Sequence, residues 1–407
     1  MCGTRDTVAP SRRKPVAAMG ATAAALAGCA VELPATHPVA GASPVESPTP
    51  PAKLIGDGST QDTGPQPHQP RPRRLAPGEE PPQFVVMSWD GAGETAAQLF
   101  SRFRCLAQEL SGSMTFFLSG IYTLPERNRM AYKPPRHRVG ASAIGYLSDQ
   151  SVHATIEQVG IAWHEGHEIG THFNGHFCGP GGVSEWSPAD WDSEIAQAIE
   201  MVSQWRTNTG FTDLPPLPFD YAKELIGGRT PCLEGQANLL KAKRVQQWRY
   251  DSSGTGIQTW PSKFQNGLWN LPMQQIPFPG HSLEVIAMDY NMMFNQSRTP
   301  NGDPGMRTTW RQQARDAFLA GFRRAYTTNR APFIIGNHFE RWNGGIYMEA
   351  VADAARQMAQ HDSVRFVSFR QLTEWLDAQN PAVLDKLRTL PVGKKPADGW
   401  AEFLGTA

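Results

Sequence analysis

From residue 84 onward, short apolar runs alternate with longer amphipathic stretches, and nothing comparable precedes that point. Residues 84–89, 114–118, 167–170, 268–271, 333–335 and 365–368 have the length and apolar density of buried strands. Between them, residues 94–110, 151–165, 191–207, 308–327 and 347–358 place apolar side chains at helical spacing. In the 308–327 stretch the spacing gathers Trp310, Ala314, Phe318, Phe322 and Tyr326 on one face, which predicts a helix buried along that stripe. Strand and helix alternating in this way predict an α/β fold built on a parallel sheet, open or closed into a barrel. Residues 295–306, rich in Asn, Pro and Gly, read as a surface loop, and residues 379–407 as a poorly specified tail.

The chain before residue 84 has a different texture. Arg12, Arg13 and Lys14 precede a small-residue apolar run that ends in Leu26, Ala27, Gly28 and Cys29. That order predicts an export signal over residues 1–28 and lipidation of Cys29, so that the protein is a cell-envelope lipoprotein on the outer face of a membrane. Residues 30–83 contain 13 of the 34 prolines and no Phe, Trp or Tyr. Such a segment buries too little to offset its ordering entropy, so residues 29–83 are expected to form a disordered Pro-rich tether. The folded domain is then 84–378. Charge is balanced, 38 Lys+Arg against 38 Asp+Glu, which gives no footing for a nucleic-acid partner. Beyond the N-terminus no run of about 18 strongly apolar residues occurs, so membrane contact is expected through the lipid anchor alone. Cys105, Cys178 and Cys232 leave room for a disulfide, with the pairing unreadable from spacing.

Several polar residues stand where the apolar runs end. Asp90 closes one run and opens into Gly91, Ala92 and Gly93. The C-terminal ends of parallel strands are where such folds place their chemistry. His172 and His176 follow the 167–170 run; a spacing of four would bring two imidazoles to one side of a helical turn, where they could share a divalent cation. His338 ends the run that starts at Phe333, and Arg229 lies in a loop fixed by Pro231.

Taken in order, these pieces resemble the polysaccharide deacetylases, the NodB-like carbohydrate esterases, and most closely their chitin-deacetylase-like branch. Residues 84–92 (FVVMSWDGA) are similar to the family's first motif and 114–118 (MTFFL) to its Ala-Thr-Phe-Phe strand. Residues 166–176 (GHEIGTHFNGH) fit its His-x-x-x-His motif, 228–231 (GRTP) its Arg-x-Pro motif, and 288–291 and 329–338 its last segments. The resemblance implies a distorted (β/α) barrel of about seven strands. It implies metal-dependent hydrolysis of an N-acetyl group, or less expectedly an O-acetyl group, on a cell-envelope or chitin-like glycan. Under that reading His172 and His176 hold a divalent cation, zinc first, with Asp90 or Glu94 as a further ligand. Asp90 is the base, Arg229 orients it, and His338 is the general acid. The Cys232 backbone N–H beyond Pro231 helps bind the oxyanion, and Trp342 meets substrate. The family motif has two adjacent acids; here the second is Gly91, for which Glu94 or Asp251 could substitute. A second function class therefore stands beside the first: a barrel without turnover that binds glycan through loops bearing Trp186, Trp260 and Trp342.

Overall fold

The computed structural model describes residues 52–405; the export segment, Cys29 and the first part of the Pro-rich stretch lie outside them. Eight consecutive buried residues form the central strand β1, Gln83–Asp90. A strand covered on both faces needs an unbroken apolar run rather than alternation. β2 (Thr115–Leu118) and β3 (Glu168–Thr171) follow on one side, and β4 (Phe333–His338) lies on the other. β5 (Val364–Phe366) pairs with the first residues of β1, and every pairing in this sheet is parallel. The predicted helices appear as Leu99–Glu109, Asp149–His164, Pro188–Ser203, Arg307–Tyr326 and Trp342–Met358. Ser148 and Ser187 start two of them by accepting backbone N–H groups of the first turn. Ala314, Phe318 and Phe322 are buried, as the stripe on that helix requires.

The sheet does not close into the expected seven-strand barrel. After β3 the chain runs through Gly227, Gly228 and Pro231, and pairing shrinks to an isolated bridge between Thr171 and Gly228. Glycine and proline carry no side chain, or no N–H, with which to sustain a central strand. The predicted 268–271 strand survives as Trp269–Asn270 in a separate small sheet with Tyr250–Asp251 and Ser262–Lys263. A second bridge, Met288 to Gly336, reaches β4 from the other side. The architecture is mixed α/β with an open five-stranded parallel sheet.

Two further expectations are corrected. Residues 52–82 are not a disordered tether but lie against the domain. Lys53–Ile55 pairs with Thr60–Asp62, Trp205 Nε1 donates to the Ser59 carbonyl at 2.6 Å, and Gln66 Nε2 donates to the His167 carbonyl at 2.7 Å. Without aromatic anchors, the segment is held by hydrogen bonds that composition does not register. The supposed tail contains helices Pro381–Arg388 and Gly399–Leu404, which bury Leu384, Leu387 and Leu404. Among the described residues, no helix is long and apolar enough to cross a membrane.

Candidate active site

The register of the sheet assembles the site. Asp90 and His338 are the last residues of neighbouring strands β1 and β4 and are Cα partners. His172 follows β3 directly, with its N–H still donating to the Leu118 carbonyl of β2 at 2.9 Å. The Arg229 N–H donates to the Thr171 carbonyl at 3.0 Å, so the Gly227–Gly228 bridge sets Arg229 beside the same strand end. All four side chains therefore emerge at the C-terminal edge of the sheet.

Arg229 is fully buried and its partners consume its donors. Its Nη1 donates to Asp90 Oδ1 at 2.7 Å and to Ser88 Oγ at 2.9 Å, and its Nη2 donates to Ser252 Oγ at 2.9 Å. The guanidinium lies 4.9 Å from the Phe117 ring centre. Gly336 makes room for it, since a β-carbon there would stand 2.9 Å from Arg229 Nη1. Burial pushes the Asp90 carboxyl up, but Arg229, His172 and His338 outweigh it and hold the group below its ordinary value. Asp90 stays ionised, and among the described residues its Oδ2 accepts no hydrogen bond.

The histidine pair is close, with ring centres 5.0 Å apart, but not by the predicted helical turn. Residues 172–176 form an irregular loop in which Phe173 and His176 have φ of 61° and 55°. Left-handed backbone at two non-glycine residues has to be imposed by surrounding structure. Buried Glu194 imposes it, accepting from Asn174 N–H and from Tyr132 Oη, which in turn accepts from Gly175 N–H. Burial pushes the Glu194 carboxyl up to about 7. The Cys178–Cys232 disulfide ties this loop to the Arg229 loop. Glu194→Ala strands the Asn174 N–H and the Tyr132 hydroxyl; the expected result is a loss of about 2–4 kcal/mol in thermal unfolding together with weaker zinc binding.

His172 Nδ1 is 2.8 Å from the Arg229 carbonyl and can only donate to it, which assigns the proton to Nδ1. Nε2 is then a bare lone pair, buried and, among the described residues, without a hydrogen-bond partner. Burial pushes the His172 imidazole down to about 3, so the ring is neutral across the physiological range. Burial and His338 also lower His176. A neutral ring with one nitrogen fixed and the other open is the form in which histidine ligates metal, so the pair fits a divalent cation. Among the described residues, no carboxylate joins both rings in a compact three-ligand group. The compact three-ligand group found among them, His176 with Cys178 and Cys232, leaves out His172 and has its sulfurs bonded to each other.

His338 has a partner the sequence reading did not assign. Asp289 Oδ1 is 2.8 Å from His338 Nδ1, and Asp289 Oδ2 accepts the His338 N–H at 2.8 Å. Burial alone would lower the imidazole, but Asp289, Asp90 and Glu340 raise it above its ordinary value and favour the cation. Asp289 lies in the quoted 288–291 segment, which is the sequence signal for it; the structure places it one residue after the Met288–Gly336 bridge to β4.

The remaining candidates separate. Glu94 points away: its carboxylate accepts from Thr95 and Ser101 N–H groups at the start of the Leu99–Glu109 helix. Asp251 is also taken, by Gln236 and Ser253, and serves the loop behind Arg229. Trp186 and Trp260 are core residues, 1% and 3% exposed, and cannot stack on a ligand. Trp342 does reach the site, its ring centre 5.3 Å from that of His338. Cys232 lines the cavity after Pro231, and among the described residues its N–H has no hydrogen-bond acceptor.

Two adjoining lobes, about 450 and 320 Å³, share Asp90, His172, His176 and His338. A larger cleft of about 700 Å³ at the opposite region, lined by Gln108, Glu165 and Phe366, contains none of these residues. No family model and no curated protein matches the sequence.

Similar solved structures include a protein described as a polysaccharide deacetylase, a family 4 carbohydrate esterase and a pseudoenzyme of the same family 4.

A Mycobacterium smegmatis protein described as a polysaccharide deacetylase is 16% identical with a TM-score of 0.43, over 75% of this chain and 95% of its own. A family 4 pseudoenzyme from Bacillus anthracis is 10% identical, TM-score 0.38, over 75% and 70%. A peptidoglycan deacetylase from Bacillus subtilis is 12% identical, TM-score 0.36, over 73% and 92%. At such scores the overlays assign no chemistry to this chain and do not single out the chitin-deacetylase-like branch. The chemistry has to come from the side chains themselves.

Proposed function

We propose that this protein hydrolyses acetyl groups, N-acetyl in preference to O-acetyl, from a cell-envelope or chitin-like glycan with the help of a divalent cation, most simply zinc. The reading is carried by one observation: an ionised carboxylate, a histidine biased toward its cation and a histidine with a bare buried nitrogen face one cavity. Those are a proton acceptor, a proton donor and a metal ligand, the parts that amide hydrolysis needs. His172 and His176 would hold the cation, which when bound supplies Lewis acidity at the acetyl carbonyl. Asp90 takes a proton from the attacking water at Oδ2, while Arg229 fixes Oδ1 and keeps the group charged. His338 delivers the proton held at Nε2 to the departing nitrogen, and Asp289 steadies the imidazolium. The free Cys232 N–H is placed to donate to oxygen as negative charge develops there. The products are acetate and an amine.

A second reading, glycan binding without turnover, is favoured by Gly91, because Asp90 has no second acid next to it in sequence to serve the pair of imidazoles as a ligand. Gly91 has φ +66°, and a β-carbon there would meet nothing nearer than 3.7 Å. Aspartate tolerates left-handed backbone better than most residues. Gly91→Asp is therefore expected to fold normally and to tighten zinc binding by about tenfold or more, measured by calorimetry. Unchanged zinc affinity in that variant would place the cation away from Gly91. We also propose that Cys29 anchors the domain at the envelope; a mature N-terminus with unmodified Cys29, seen by mass spectrometry, rules this out.

A further inference from the structure

At His176 the rim of the cavity holds a disulfide in the open. Cys178 and Cys232 are both exposed, although the loops they join carry groups that line the cavity. Cys178 Sγ lies 3.7 Å from His176 Nδ1. One nitrogen of His176 and the two sulfurs all fall within 4.8 Å of one another. Three donors of nitrogen and sulfur at that spacing are the makings of a metal site, and the bond between the sulfurs is what withholds it.

That bond is not the sole link between the two loops. Gly179, next to Cys178, donates its N–H to the carboxylate of Glu234, close to Cys232, at 3.0 Å. Gly235 packs so tightly against the first loop that a β-carbon there would stand 2.2 Å from the Val183 carbonyl oxygen. With those contacts kept, breaking the disulfide leaves both sulfurs beside His176. Exposed disulfides are the ones open to thiol exchange. Two thiolates with an imidazole select soft, thiophilic cations over the harder ions that carboxylates favour.

We propose that Cys178, Cys232 and His176 form a redox-gated site for a thiophilic metal ion, closed while the sulfurs are bonded to each other and opened by a small-molecule thiol. The step is a two-electron exchange. The Cys178–Cys232 bond breaks, each sulfur takes up a proton, and two molecules of the thiol leave joined as their own disulfide. The ion then displaces both thiol protons as it binds. His176 Nδ1 faces the sulfurs and is the third donor. A neutral imidazole has a lone pair free on one nitrogen only, so a ring that holds this ion through Nδ1 carries its proton on Nε2 and cannot also hold a cation with His172. The sulfur site therefore competes with the His172–His176 pair. That competition rests on the acetyl-hydrolysis reading; the sulfur site itself does not.

The test uses cadmium, whose bonds to thiolate give an ultraviolet charge-transfer band, and the full chain in two states. One sample stays oxidised. The other is reduced with a water-soluble phosphine, which leaves as its oxide, and is then freed of it without air. Reduced wild type is expected to keep cooperative thermal unfolding and to bind one cadmium with the band, about a hundredfold or more tightly than the oxidised protein. The chain carrying both Cys178→Ser and Cys232→Ser, taken through the same reduction, lacks that tight site. His176→Ala, reduced, binds cadmium about tenfold more weakly. No band in reduced wild type, equal affinity in the two states, a tight site that survives in the double variant, an unchanged affinity in His176→Ala, or loss of cooperative unfolding on reduction overturns the site. Acetate release with zinc, assayed separately, keeps the two readings apart. If reduced protein binds cadmium through these sulfurs and neither state releases acetate, the sulfur site stands and the hydrolase falls. If acetate is released just as fast from reduced protein loaded with cadmium, the hydrolase stands and the competition is overturned.

Discussion

Asp90→Asn is expected to lower acetate release by about 10²–10⁴-fold, because the ionised carboxylate that faces the cavity beside the histidine pair becomes a poor proton acceptor. The same change should show in stability. Arg229 is fully buried, and among the described residues Asp90 is its only ion-pair partner. An amide still accepts the Nη1 hydrogen bond but leaves the cation without a counter-charge, which costs about 3–5 kcal/mol. The two effects separate by measuring thermal unfolding alongside the rate. They also predict a pH dependence. Burial opposes the Asp90 charge, but Arg229, His172 and His338 together depress its pKa below the unfolded value. Its contribution to stability is then fully present above that unfolded value and is lost as pH falls through the depressed one. Rate and stability decline together on the acid side in wild type. In Asp90→Asn the stability loss is already present at neutral pH. A variant that keeps the wild-type rate removes Asp90 from the chemistry.

Asp289→Asn gives the second large effect, and its signature is a displaced pH profile. The Asp289 carboxylate contacts both His338 Nδ1 and its backbone N–H, and it is the chief group opposing burial to raise the imidazole. His338 donates a proton only while it is the cation, so the raised pKa extends activity toward alkaline pH. Without the Asp289 charge the imidazole deprotonates earlier, and the alkaline limb moves to lower pH. The rate on the acid side of the profile falls much less. His338→Ala removes the donor itself and is expected to lose about 10²–10⁴-fold at every pH. A purely structural Asp289 would lower stability without moving the limb, so the profile discriminates where a rate at one pH cannot.

The reacting groups were legible because each ends an apolar run, and a run buried on both faces has to be a parallel strand. Asp90, His338 and His172 follow from that alone, and Arg229 from the glycines that bring its loop to β3. The geometry between them was less legible. His172 and His176 suggest a helical turn only if the residues between them are helical, and the left-handed φ of Phe173 and His176 comes from Glu194 and Tyr132, distant in sequence. Asp289 starts a helix 49 residues before the histidine it holds, a pairing created by one bridge rather than by any local pattern. Trp186 and Trp260 were expected at a ligand surface on residue type, yet core packing claims both. The rings that do face outward, Tyr290 and Phe294, sit in a short helix that apolar periodicity did not mark. The segment before residue 84 failed for a related reason. Freedom from aromatics predicts disorder, but Trp205, Gln66 and Gln379 hold residues 52–82 by hydrogen bonds to and from their backbone and side chains.

What joins these observations is the claim that His172, His176, Asp90 and His338 act together on an acetyl group with a cation bound. Acetate released from acetylated chito-oligosaccharide or peptidoglycan by the wild-type protein, with zinc or cobalt added and again after chelation, tests it most directly. The expected result is steady acetate production that chelation stops and metal restores, and that His172→Ala lacks while retaining cooperative thermal unfolding. No acetate under any metal, from a folded protein that still binds these glycans, would contradict the account and leave a binding module in its place.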